Sequence, residues 1–173
     1  MTRTVFTTLA ALLLLACVPS LALAKGPSEA TITGPGLDST ITVGPGEPGA
    51  QMAPGAPVME LAEAAGFFPA SFGQAPTPVT GNPPAGERGP RYTIEYLVPG
   101  PAGKPDRIVQ DLYPYATEPV TYMEPGQPFF ETERTRGGWY VGSAELTRVL
   151  LDAGLPESPP AGDGDGSFPW QVV

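Results

Sequence analysis

The sequence predicts a mainly β fold of the α+β class. It comprises a small antiparallel sheet or partial barrel, one or two short helices, a covering C-terminal helix and Pro/Gly-rich disordered flanks. Three observations predict it. Arg91 to Val98 alternates, with Tyr92, Ile94, Tyr96 and Val98 on one side and Arg91, Thr93 and Glu95 on the other, the period-two signature of a half-buried strand. Short β-branched and aromatic runs recur between Pro/Gly turn clusters up to Val141, as strands joined by turns do. The 24 prolines and 22 glycines among 173 residues argue against order throughout, while a 41% apolar fraction suffices for one folded unit of about 80–90 residues.

In chain order, residues 1–24 read as a signal peptide. Arg3 supplies the positive start and Val5 to Ala16 the apolar core. Pro19 breaks the helix, and Ala22-Leu23-Ala24 forms an A-x-A cleavage signal before Lys25. The apolar run is too short for a stable membrane span. Leu14-Leu15-Ala16-Cys17 resembles a bacterial lipobox, which implies acylation at Cys17 as the alternative. The chain is therefore expected to be secreted or extracytoplasmic, or else lipid-anchored to the outer face of the membrane.

Cys17 is the single cysteine and there is no histidine. Once the leader is removed, no disulfide framework forms within the chain. A zinc site of the usual kind is not expected, nor a Cys-His or Ser-His nucleophile. No cofactor is predicted. The formal charge of −9 repels phosphate backbones and anionic head groups, so no nucleic-acid partner is expected, and membrane contact only through a lipid anchor.

Residues 25–45 hold two similar runs, Ala30-Thr31-Ile32-Thr33-Gly34-Pro35-Gly36 and Thr40-Ile41-Thr42-Val43-Gly44-Pro45-Gly46, expected to pair as a hairpin. Residues 46–90 read as a Pro/Gly-rich linker carrying a short helix over 57–65. Pro57 suits its first position, Val58, Leu61, Ala62 and Ala65 form its stripe, and Gly66 stops it. Phe67, Phe68 and Phe72 are expected to bury this element against the β unit.

Residues 91–156 form that β unit with its terminal helix. After the strand at 91–98, Arg107 to Tyr113 is the return strand and Val120 to Met123 the third. Phe129 to Arg136 is expected to be the fourth, joined to Trp139–Val141 by a Gly137-Gly138 hairpin that sets Arg136 against Trp139. Ser143 is the expected N-cap of a helix over 144–153, with Leu146, Val149, Leu150 and Ala153 inward and Gly154 at its end. Residues 157–173 read as a disordered acidic tail. Within it, Asp163-Gly164-Asp165-Gly166-Ser167 has the opening spacing of a calcium loop but no Glu at position twelve.

Two kinds of chemistry are available. Among carboxylates, Asp111 lies in an apolar, aromatic context, and Asp111 with Glu95 would serve a carboxylate-dependent hydrolase. Glu131 and Glu133 read as one solvated strand face. The aromatic and arginine set favours binding instead, because Tyr, Trp and Arg carry disproportionate interface energy. Its candidates are Arg91, Tyr96, Tyr113, Arg136, Trp139 and Tyr140, with part of the wider aromatic set expected in the core. The segments GPRYTIEY, DLYPYA, VTYMEPGQ and GGWY together resemble a group of uncharacterised secreted proteins of actinobacteria. That resemblance spans roughly residues 25–156 and implies export and one shared domain. The expected function is an exported, non-enzymatic binding module for a cell-envelope component or another exported protein. The alternative is a hydrolase of an extracellular or cell-wall polymer.

Overall fold

The computed structural model describes residues 26–44, 55–73, 78–100, 103–142 and 144–160. The leader with Cys17, the Ser143 cap and the Asp163–Ser167 loop lie outside the described residues. The fold is mainly β, of the α+β class. Among the described residues a six-stranded antiparallel sheet runs in the order β2 (Ile41–Val43), β1 (Glu29–Thr33), β3 (Tyr92–Pro99), β4 (Pro105–Tyr113), β5 (Val120–Met123), β8 (Gly138–Val141), with a separate ribbon of β6 (Pro128–Phe129) and β7 (Glu133–Arg134) and three helices.

The hairpin of β1 (Glu29–Thr33) and β2 (Ile41–Val43) forms, with Ala30 opposite Val43 and Ile32 opposite Ile41. The other side of β1 pairs along its whole length with β3 (Tyr92–Pro99). This hairpin therefore belongs to the same sheet as the aromatic strands. The long ribbon of β3 with β4 (Pro105–Tyr113) is the sheet's centre. The alternation of β3 is realised fully: Tyr92, Ile94, Tyr96 and Val98 are all buried.

All three helices join the core on that inner face. Helix α1 (Pro57–Ala64) has proline at its first turn and buries Val58, Leu61 and Ala62. Gly66, at φ 71°, closes it in the left-handed conformation expected of a helix stop. Helix α2 (Phe67–Phe72) follows at once and was not predicted from the sequence. Pro69 sits in its first turn, where a missing N–H costs nothing. Phe67 is wholly buried, while Phe68 and Phe72 are half-buried against the same core. Helix α3 (Ala144–Asp152) buries Leu146, Val149 and Leu150, largely against α1.

A polar bracket joins the end of α1 to the sheet. The Ala65 carbonyl, at the helix end, accepts from Gln110 Nε2 and Thr121 Oγ1, each at 2.8 Å. This explains the buried Gln110 on β4: it satisfies an orphan carbonyl that the sheet would otherwise seal from water.

The expected fourth strand is corrected. Residues 128–134 form instead the short ribbon of β6 (Pro128–Phe129) and β7 (Glu133–Arg134), turned at Phe130 and Glu131 with positive φ. Strand β8 (Gly138–Val141) pairs with β5 (Val120–Met123), setting Tyr122 opposite Trp139 and Thr121 opposite Tyr140. The reason lies at Thr135, which is buried. Its hydroxyl donates to the Glu124 carbonyl (2.7 Å) and accepts from the Gln127 N–H (3.0 Å), tying the segment to the preceding turn. Arg136 and Gly137 then donate their N–H groups to Ser71 and Ala70 of α2. Both glycines do take positive φ, but they carry the chain across the end of α2 and do not close a hairpin.

Candidate functional site

With the helices on one face, the other face of the sheet is open. The register draws one row across it: Thr93 opposite Asp111, Asp111 opposite Tyr122, Tyr122 opposite Trp139, and Trp139 bridged to Thr80. Residues in one such row point to the same side, away from the helices. Tyr113, two residues beyond Asp111, shares that side.

The three rings form one cluster. Tyr122 and Trp139 have centroids 4.8 Å apart and Tyr113 stacks on Trp139 at 5.8 Å. The Arg88 guanidinium stands over both Trp139 (5.3 Å) and Tyr113 (5.6 Å), within cation–π range. The bridge between Thr80 and Trp139, with two backbone hydrogen bonds of 2.8 and 2.9 Å, brings the 78–90 stretch beside the sheet.

Two recesses flank Tyr122. One is a cleft of about 560 Å³ walled by Pro69, Val79, Pro125 and the glycines at 81, 137 and 138, with Arg136 at its rim. The other, about 350 Å³, is lined by Val109, Asp111, Glu124 and Gln127. Their charges are opposite. Asp111 is half-buried and meets Arg91 at 3.5 Å. Burial pushes its carboxyl above the ordinary value of 3.8; Arg91 pulls it down and Glu124 adds a smaller upward push. Burial likewise raises the Tyr113 hydroxyl, with the Asp111 charge adding to it. Tyr122 is raised by the small burial it has and by Glu124, to which its hydroxyl donates at 3.2 Å.

The candidate binding residues divide. Arg91, Tyr113 and Trp139 lie on the open face, and Arg136 lines the cleft. Tyr96 and Tyr140 face the helices. Tyr96 is fully buried against Phe67, with ring centroids 4.7 Å apart, and cannot touch a surface ligand. The Tyr140 ring fills the space where a side chain on Gly66 would go. Arg136 does not stack on Trp139; Arg88 does. Glu95 shares the open face and is ion-paired with Arg107, so the two candidate carboxylates sit as diagonal neighbours, each with its own arginine.

Sequence reasoning missed Arg88 and undervalued Tyr122. Arg88 lies in a stretch read as linker, and its role depends on the single bridge at Thr80. Tyr122 becomes central because β8 pairs with β5, a long-range choice that no local pattern encodes. Among the described residues there is no group of three or more acidic, histidine or cysteine side chains placed to hold a metal, and no helix long and apolar enough to cross a membrane. No family model, curated protein or solved structure matches the chain.

Proposed function

We propose that this is an exported, non-enzymatic binding module, and that its partner is a cell-envelope component or another exported protein. The observation that carries this reading is the Tyr113–Trp139–Tyr122 cluster under Arg88, on the sheet face that the helices leave open. The core is already filled by Tyr92, Tyr96, Phe67 and aliphatic residues, so packing beneath the helices does not require these three rings. Rings and guanidinium groups on a sheet offer large contact area at low entropic cost, which is why they dominate interface energetics. The A-x-A leader supports export, and so does the likeness to secreted actinobacterial proteins.

The test is co-sedimentation of the purified full chain with isolated bacterial cell envelope. Saturable binding that Trp139→Ala removes, with the circular dichroism spectrum unchanged, is the expected result. Binding by the variant equal to wild type would contradict the assignment of the surface.

One observation favours a second reading. Asp111 is a half-buried carboxyl with a raised pKa in a recess, as a general acid requires. With Glu95 it would serve a hydrolase of extracellular or wall polymer. Asp111→Asn would then abolish release of soluble fragments from wall material while leaving sedimentation intact. No release by wild type would end that reading.

A further inference from the structure

Arg136 is the one charged side chain among the residues that line the cleft beside Tyr122. Among the described residues Arg91, Arg107 and Arg148 are ion-paired, whereas no carboxylate partners Arg136. This is so although the protein carries 18 acidic residues against 9 basic ones. The backbone and stem of Arg136 are anchored, while its head is exposed. Its backbone N–H donates to the Ser71 carbonyl (3.3 Å), and its aliphatic stem covers Gly73 so closely that a methyl there would lie 2.9 Å from Arg136 Cγ. An exposed guanidinium without a carboxylate partner among the described residues, carried on a stem packed over Gly73 in a cleft of about 560 Å³, offers an anion contact. It also presents the planar donor pair that matches a carboxylate.

We propose that the cleft beside Tyr122 is a ligand site, and that it takes a carboxylate carried on a peptide. The inference deepens the binding-module reading and rests on it. The other walls choose the body of the ligand. Pro69, Val79 and Pro125 are apolar without being flat aromatic platforms, so they fit the side chains or proline rings of a peptide. Tyr122 is the single ring among the lining residues and is tilted 36° against Trp139, so the cleft has no pair of flat platforms of the kind that holds a sugar. Gly81, where a side chain would meet nothing within 4 Å, lets a ligand backbone come close. The overall charge of −9 does not forbid this, because long-range repulsion is screened beyond about 10 Å in ordinary salt and a direct contact decides affinity.

Gly81 gives a clean block. It has no positive φ, and a side chain there would meet nothing within 4 Å, so Gly81→Phe fills cleft space without straining the fold. In the full chain, three probes are titrated by calorimetry and by amide NMR: acetyl-Ala-Pro with a free carboxylate, its C-terminal amide, and glucuronate. The acid peptide is expected to bind about tenfold or more tighter than the amide, shifting the Gly81 and Gly137 amides. Arg136→Gln, which keeps the stem over Gly73, should reduce the acid to the amide's affinity. Arg136→Lys should keep part of the difference, and Gly81→Phe should remove binding of both peptides. Equal binding of acid and amide, an unchanged affinity in Arg136→Gln, or tighter binding of glucuronate would overturn the proposal. Envelope binding that Trp139→Ala abolishes but Arg136→Gln and Gly81→Phe leave intact would overturn the cleft and spare the binding module. Absence of envelope binding by wild type would remove the module reading instead.

Discussion

At the scale of single residues, two core tyrosines on one strand differ in whether their hydroxyls are satisfied. Tyr92 and Tyr96 are both fully buried, but the Tyr92 hydroxyl donates to the Pro35 carbonyl at 2.7 Å, while the Tyr96 hydroxyl finds no partner among the described residues. Burial alone holds the Tyr96 phenol protonated, far above its usual range. A buried hydroxyl without a partner costs stability. Tyr96→Phe is therefore expected to raise the unfolding free energy by about 1 kcal/mol, and Tyr92→Phe to lower it by about 0.5–1.5 kcal/mol, measured by urea denaturation. Asp111 gives a pH-dependent counterpart. Its folded pKa is raised above the ordinary 3.8, so the protonated form is the one folding favours. Its contribution is fully present below the unfolded pKa and is lost as pH rises through the folded value. Asp111→Asn, which mimics the neutral acid, should therefore be at least as stable as wild type at pH 7. The gap should close as wild type becomes protonated below about pH 4. Destabilisation of Asp111→Asn at pH 7 would mean that the pair with exposed Arg91 outweighs the burial of the carboxylate.

Among the elements, the legible parts were those whose signal is local. The alternation in β3, the stripe and glycine stop of α1, and the twin runs of β1 and β2 each carry their own period or punctuation. The pairing of β8 was illegible because Gly137-Gly138 also fits a tight hairpin, and the competing instruction comes from Thr135, whose bonds are to a turn eight or more residues earlier. Helix α2 was hidden by its Pro69. The edge of β4 shows how side chains complete what strands leave open. Past the end of β5, Gln127 Oε1 accepts from the Val109 N–H at 2.7 Å and its Nε2 donates to the Val109 carbonyl at 2.8 Å, standing in for a strand. Gln127→Ala should cost about 1–2 kcal/mol and speed hydrogen exchange at the Val109 amide, with the α1 amides unchanged. At the joint of α1 and α2, Gly66→Ala should cost about 2–4 kcal/mol by chemical denaturation, because the added methyl meets the Tyr140 ring and φ is 71°.

For the whole molecule, the arrangement is one sheet with its helices gathered on one side. The inner face accounts for most of the apolar sequence. The open face collects Asp111, Tyr113, Tyr122 and Trp139 from β4, β5 and β8, with Arg88 reaching over from the 78–90 stretch. The residue types of the site were legible in the composition, since tyrosine, tryptophan and arginine cluster after residue 88. Their sorting into buried and open sets was legible only on β3, where strict alternation decides it. On β4 the buried Gln110 blurs the pattern, and on β8 the partner strand had to be known first. Trp139→Ala removes two ring contacts worth about 0.5–1.5 kcal/mol each, so the fold should survive with a loss of about 2 kcal/mol. The most direct measurement is therefore envelope co-sedimentation of wild type, Trp139→Ala and Tyr96→Phe side by side. Retained binding by Tyr96→Phe with loss in folded Trp139→Ala is the predicted result. Equal binding by all three proteins would contradict the open aromatic face as the working surface.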